Sequence, residues 1–171
     1  LEIAEKYAIN IASFSGPKGV VYARIEGLQH LTGDIILCID GDSEAQPNWV
    51  EVMTETLKCD NSTLVGSWVK FRGTFYGWIN NLYNKTRCIR ETDAVARWIW
   101  GPSFAFWGED KDYVRGVFEQ SISLSEELHL SRNPDDFWLA LFMCRRGHLQ
   151  VTNETYVTLN TKEHNNRSAL E

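Results

Sequence analysis

The run Ile35-Ile36-Leu37-Cys38-Ile39-Asp40-Gly41-Asp42 settles most of the expected architecture. A continuous apolar stretch of this kind is typical of a central parallel strand buried on both faces. It stops abruptly on two carboxylates around a glycine. Ligands of open α/β sheets gather at the carboxyl ends of strands, so Asp40 and Asp42 stand where a site belongs. Gly41 would let the backbone turn tightly while both side chains converge on one hard cation, Mg²⁺ or Mn²⁺, which bridges readily to a diphosphate. The plain alternative is a solvated Asp-Gly turn, common after strands.

The sequence on either side continues the alternation of strand and helix. Upstream, Val21, Ile25 and Leu28 recur at helical spacing from Gly19, with Gly33 closing the helix. Before them Ile9–Phe14 alternates apolar and polar, as a short strand ended by Gly16-Pro17 would. Downstream, Pro47 suits a first helical position, and Trp49, Met53 and Leu57 give the next helix a buried stripe. Thr63–Phe71 is a β-rich run, and Trp78, Leu82 and Lys85 are compatible with a helix over Tyr76–Ile89. Ser103–Trp107 reads as a short strand, and Asp110–Phe118 as a helix with Tyr113, Val114 and Val117 inward. Asn133-Pro134-Asp135-Asp136 opens a helix that runs through Phe142 and is capped by Gly147. His148–Val151 and Thr155–Leu159 follow as two strands. The order predicts an α/β fold: a mixed, mainly parallel sheet with flanking helices.

The chain has 171 residues, which suits one domain with a sizeable core. Hydrophobic residues make up 43% and charged residues 23%, excluding both a disordered tail and a membrane bundle. The longest apolar stretches, Trp98–Trp107 and Phe137–Cys144, are too short to span a bilayer. A net charge of −6 disfavours a nucleic-acid partner, which would want a basic face. Cys38, Cys59, Cys88 and Cys144 include no CxxC pair and read as reduced core residues of a cytosolic protein. Asn61, Asn84, Asn153 and Asn166 open N-x-S/T matches, which arise easily by chance, and no signal peptide accompanies them. The expected location is cytoplasmic, at most at the inner face of a membrane through regions beyond these residues. The start on Leu1 suggests a fragment and Leu170-Glu171 a cloning scar, leaving residues 1–169 as a single incomplete domain.

Gly19–Leu57, with Ala23-Arg24, Gly27, Thr32-Gly33-Asp34 and Asp40-Gly41-Asp42, resembles the family 2 glycosyltransferases of the GT-A (Rossmann-like) fold. Their pattern there is an Ala-Arg-Asn-x-Gly helix followed by a Gly-Asp/Glu strand that ends in D-x-D. The similarity continues at Gly101-Pro102-Ser103-Phe104-Ala105, which sits where that family has its glycine loop near the acceptor. Asp135-Asp136 matches the x-Glu-Asp motif that opens a helix, and His164 resembles the C-terminal histidine that ligates the metal in many GT-A enzymes. Ile25 replaces the usual Asn, and Asp135 the usual Glu. The family's opening strand, first helix and second strand, which bind uracil and ribose, would lie before Leu1, so the expected domain is N-terminally truncated.

The resemblance implies an inverting glycosyltransferase that moves a sugar from a nucleotide-diphosphate donor, expected to be a UDP-sugar, to a hydroxyl of a glycan or lipid-linked acceptor. Asp42 and Asp40, with His164, would hold Mn²⁺ or Mg²⁺ on the donor diphosphate, assisted by Arg24 and Lys18. Asp136 would be the general base, with Asp135 the second candidate. Gly101, Trp100 and Pro102 would face the acceptor. Each role has a plainer counterpart. Asp136 suits a helix N-terminus electrostatically, Arg24 and Lys18 suit solvated cations, and His164 lies among polar residues. Trp98, Trp100 and Trp107 either form a platform for a sugar ring or pack in the core. Two other classes compete. A haloacid-dehalogenase-like phosphatase also places D-x-D after an apolar strand, but wants Asp-x-Asp-Gly-Thr where this chain has Ser43-Glu44. A non-catalytic carbohydrate or interaction module is the third.

Overall fold

A computed structural model describes residues 5–59, 62–72, 77–79, 81–82 and 99–160. These form a five-stranded sheet with helices on both faces. In chain order the elements are α1 (Val20–Gln29), β1 (Ile35–Ile39), β2 (Ser43–Ala45), α2 (Trp49–Cys59), β3 (Ser62–Arg72), β4 (Ser103–Trp107), α3 (Lys111–Glu127), α4 (Asp135–Met143) and β5 (His148–Asn160). A single 3₁₀ turn, Gly108–Asp110, leads from β4 into α3.

The strand order is β1-β4-β3-β5-β2. The expected α/β fold with a mixed sheet is present, but the expected parallel predominance is not. β3 and β5 run parallel, while β1–β4, β3–β4 and β2–β5 are antiparallel. Among the described strands β1 is at an edge rather than in the centre. Its apolar run has a different cause. Ile36 and Cys38 join a cluster with Val21 and Leu28 of α1, Val114 and Phe118 of α3, and Leu139 and Met143 of α4. Ile35 and Leu37 join a second cluster with Trp49, Met53 and Leu57 of α2. Alternate side chains of a strand point to opposite faces, so the two clusters are the two sides of one sheet. Continuous hydrophobicity reports coverage of both faces; it does not report how many strands lie alongside.

β4 makes the same division. Phe104 and Phe106 face the first cluster and Ala105 the second, all three fully buried. Each large apolar side chain so buried contributes roughly 1.5–3 kcal/mol. Polar groups in the second layer are paired: the Trp49 indole N–H donates to Ser103 Oγ at 2.9 Å, and Ser103 Oγ lies 2.6 Å from Ser67 Oγ.

Several boundaries differ from expectation. Residues 9–14 form no strand and are exposed, because the alternation there meets no partner strand among the described residues. α1 ends at Gln29, four residues before Gly33, with His30 as its cap. α3 continues nine residues past Phe118. α4 is capped by Cys144, and Gly147 instead lies where a Cβ would come within 2.5 Å of Thr63 Cγ2. The two expected C-terminal strands are one, β5, whose register against β3 slips between Ser67 and Trp68. Cys38, Cys59 and Cys144 are free thiols as expected, but Cys59 and Cys144 are exposed rather than core. Cys88, most of Tyr76–Ile89, Trp98 and residues 161–171 lie outside the described residues.

Candidate functional site

Three segments far apart in sequence meet at the guanidinium of Arg24. The buried residues of α1 are Val21 and Leu28, and Arg24 lies between them at i+3 from Val21, so helical period carries it inward. Its side chain is 12% exposed. Nη2 donates to Asp40 Oδ1 at 2.8 Å and to the Gly101 carbonyl at 2.9 Å. Nη1 donates to Asp135 Oδ2. The guanidinium also lies over the Phe104 ring, with Cζ 5.5 Å from its centroid. Burial acts to lower the Arg24 pKa, but the Asp135 and Asp40 carboxylates together outweigh it and hold the group above its ordinary value.

The two acids that open α4 have different surroundings for a periodic reason. Asp135, Leu139, Ala140 and Met143 are the buried residues of the helix, so Asp135 heads the inward stripe. Asp136, one residue on, is turned by about 100° and is half-exposed. Burial pushes the Asp135 carboxyl above the usual carboxylate range, with Arg24 opposing and Asp136 reinforcing the shift. Asp136 Oδ2 accepts the Gly101 N–H at 3.1 Å, and Oδ1 accepts the Phe137 N–H at 2.8 Å. Asn133, just before the helix, donates to Ser121 Oγ of α3 at 3.0 Å and ties this end of α4 to its neighbour.

The Asp40-Gly41-Asp42 stretch is a turn. The Ser43 N–H donates to the Asp40 carbonyl at 3.0 Å, closing the chain around Gly41 and Asp42 before β2. Gly41 was expected to be needed for this turn, yet its φ is not positive and a Cβ there would meet nothing within 4 Å. The Asp40 N–H donates to the Pro102 carbonyl at 3.3 Å, which joins this turn to the Gly101-Pro102 turn. Gly101 is a position where absence of a side chain matters. A Cβ would lie 3.1 Å from Arg24 Nη2 and 3.6 Å from Asp136 Cβ.

Of the expected site residues, Asp40, Arg24, Gly101, Pro102, Asp135 and Asp136 are thus linked through one network. Asp42 is exposed on the adjoining turn, and Lys18 is exposed on the approach to α1. His164 lies outside the described residues. Among those described, no three His, Cys, Asp or Glu side chains gather as a metal cage. Asp40 and Asp42 are hard oxygen donors on an open turn, which suits a cation completing its shell with water and phosphate oxygens. Of the expected platform, Trp98 lies outside the described residues, and Trp100 and Trp107 do not come together. Trp100 packs edge-on against Phe71 at 5.6 Å and belongs to the α2-side cluster. Trp107 lies at the other end of β4, where its indole N–H donates to the Ser62 carbonyl at 2.9 Å. A five-residue strand separates it from the Gly101-Pro102 turn by roughly 17 Å.

A polar cavity of about 580 Å³ lies at that far end, lined by Asp34, Thr63, Trp107, Glu109, Asp110, Arg146 and Gly147. Of the candidates read from the sequence only Trp107 lines it; the expected carboxylates, Arg24 and the Gly101-Pro102 turn do not. Buried Asp110 is paired there with Arg146 at 2.7 Å, an ion pair the sequence reading did not contain.

The sequence model of glycosyl transferase family 2 matches residues 1–118. A glucosyl-dolichyl phosphate glucuronosyltransferase of Haloferax volcanii is 25% identical over 119 residues, covering 66% of this chain and 33% of the relative. The chain therefore spans about a third of the length of that curated relative.

Proposed function

Because the chain belongs to glycosyl transferase family 2, and is thereby an enzyme of glycosyl transfer, we propose that it is an inverting transferase using an aspartate base. Its donor is a nucleotide-diphosphate sugar and its acceptor a hydroxyl of a glycan or lipid-linked sugar. What carries this reading is the network that links Asp40, the first acid of the D-x-D turn, to Asp136 through Arg24 and Gly101. The family match also removes the support for a dehalogenase-like phosphatase, whose full motif this chain lacks.

Asp42 and Asp40 would hold a divalent cation, with His164 the third expected ligand. When bound, that ion supplies charge neutralisation for the departing nucleotide diphosphate. Asp136 accepts the proton of the acceptor hydroxyl as its oxygen attacks the anomeric carbon. The bond from the donor sugar to the diphosphate breaks on the opposite face, so configuration inverts in a single displacement. The two backbone N–H groups on Asp136 fix the carboxylate direction before substrate arrives, which limits reorganisation during proton transfer. Asp135 is buried and paired with Arg24, which leaves Asp136 as the acid available to an acceptor.

The test is transfer by the full-length protein with Mn²⁺. Donors would be UDP-glucuronate and UDP-glucose, and acceptors dolichyl-phosphate glucose and soluble glucosides. Mass spectrometry detects the adduct and NMR reads its anomeric configuration. An inverted product is expected. A retained configuration overturns the single displacement, and absence of transfer from both removes UDP-glucuronate and UDP-glucose as donors.

A further inference from the structure

Arg24 was expected to touch the donor diphosphate. Its bonds point elsewhere. Both terminal nitrogens are engaged by protein acceptors: Nη1 by Asp135, and Nη2 by Asp40 and the Gly101 carbonyl. The group is buried between two carboxylates and an aromatic face, so turning it toward a phosphate would leave Asp135 as a buried, unpaired charge. Breaking a buried pair from one side is strongly unfavourable.

The same contacts form a closed circuit. Asp135 binds Arg24, Arg24 binds the Gly101 carbonyl, the Gly101 N–H binds Asp136, and Asp136 follows Asp135 in the chain. The circuit spans sequence separations of 111 and 77 residues, so no local preference of the chain produces it. Gly101 sits inside with no room to spare, since a Cβ would press on the guanidinium at 3.1 Å.

We infer that Arg24 is a positioning residue rather than a donor ligand: through Gly101 it sets the direction of the Asp136 carboxylate, and through Asp40 it holds the D-x-D turn at a fixed distance from it. The inference rests on Asp136 acting as base, but its geometric part stands on its own. Arg is required rather than Lys because one planar group must serve three acceptors in different directions, which a single ammonium on a flexible stem does less well.

The experiment compares Arg24→Lys, Arg24→Ala and Gly101→Ala with Asp136→Asn in the full-length protein. Three readouts are taken: transfer from UDP-sugars, calorimetric binding of UDP with Mn²⁺, and the amide resonance of residue 101 in labelled protein. Displacing a reacting group by about an ångström costs on the order of 10²-fold, so kcat should fall by about that much in both Arg24 variants. Affinity for UDP with Mn²⁺ should fall far less than kcat, because only the bond to Asp40 reaches the cation ligands, while the link through Gly101 to Asp136 acts on the chemical step. Guanidinium ion added to Arg24→Ala should restore part of the lost rate. The Gly101 amide should shift in both Arg24 variants in the sense seen for Asp136→Asn. A loss of UDP affinity with kcat preserved would make Arg24 a donor ligand and overturn the inference. Unchanged kcat and an unmoved Gly101 amide in Arg24→Lys would do so equally. If Arg24→Ala does not fold, Arg24→Lys and Gly101→Ala decide. If Asp136→Asn retains full transfer, the base assignment fails, while the Gly101 resonance still reports whether Arg24 orients that carboxylate.

Discussion

Asp135 and Asp136 occupy adjacent positions, yet one closes an ion pair inside the protein while the other holds a half-exposed carboxylate against two backbone amides. Chemistry at this site therefore divides by residue, and substitutions should separate it. Asp42→Asn removes a charged oxygen donor from an open turn, so UDP binding that depends on Mn²⁺ should weaken together with turnover. Asp136→Asn keeps the shape and still offers an oxygen to the Gly101 N–H, but the amide takes no proton at neutral pH. Transfer should fall by roughly 10²–10⁴-fold, the usual contribution of a general base, with UDP affinity unchanged. Parallel calorimetry and turnover assays on the two variants check this. Intact transfer in Asp136→Asn with only a lowered melting temperature would reduce Asp136 to a helix-end acid. Gly41→Ala should leave both binding and transfer near their starting values, because the turn asks nothing unusual of Gly41.

The amphipathic elements obey their sequence periods closely. α2 buries the expected Trp49, Met53 and Leu57, and β4 occupies the expected Ser103–Trp107. Met53 is fully buried against Val65, Val69 and Ala105, so Met53→Ala should cost about 2–5 kcal/mol in denaturant unfolding at an unchanged m value. A loss below about 1 kcal/mol would mean that the α2 layer collapses onto the gap. Helical period also carried information about the site. Arg24 shares a face with Val21 and Leu28, and Asp135 shares one with Leu139 and Met143. A cation and an anion each on an apolar stripe signal a buried pair, so the ion pair was legible in kind though its partners were not. Pairing across 111 residues is decided by how the elements pack, and no local pattern encodes that. Strand direction was hidden for the same reason. β1 and β4 are antiparallel neighbours at the β1 edge, although β2, α2 and β3 intervene in the chain between Ile39 and its partner Ser103, a return path that apolar periodicity does not specify. The alternating Ile9–Phe14 shows the converse: a strand pattern yields no strand where no ladder receives it.

At the scale of the whole molecule, the arrangement of layers places a titrating thiol where it couples to global stability. Cys38 lies on β1, packed against the cluster that α1, α3 and α4 build, two residues before Asp40. Burial is the main cause that pushes its thiol up to about 12 from an ordinary 9.0, with Asp40 adding to the shift and Arg24 opposing it. A group whose folded pKa is raised binds its proton more tightly when folded. Its contribution to stability is complete below the unfolded value and disappears as pH climbs through the folded one. The window is therefore alkaline, from about 9 to about 12, over which unfolding releases a proton that the native thiol retains. The loss across that whole span is of order 4 kcal/mol at about 1.4 kcal/mol per unit. Urea midpoints measured at successive pH values should fall through this range. In Cys38→Ala they should start lower, from the lost packing, and fall less steeply. At pH 8.5 an alkylating reagent should label the exposed Cys59 and Cys144 well before Cys38, read by mass spectrometry of the peptides. Equal labelling of all three, or identical alkaline slopes for the two proteins, would show that β1 and the helices over it do not shield this thiol, and the same layer is what holds Arg24 between Asp40 and Asp135.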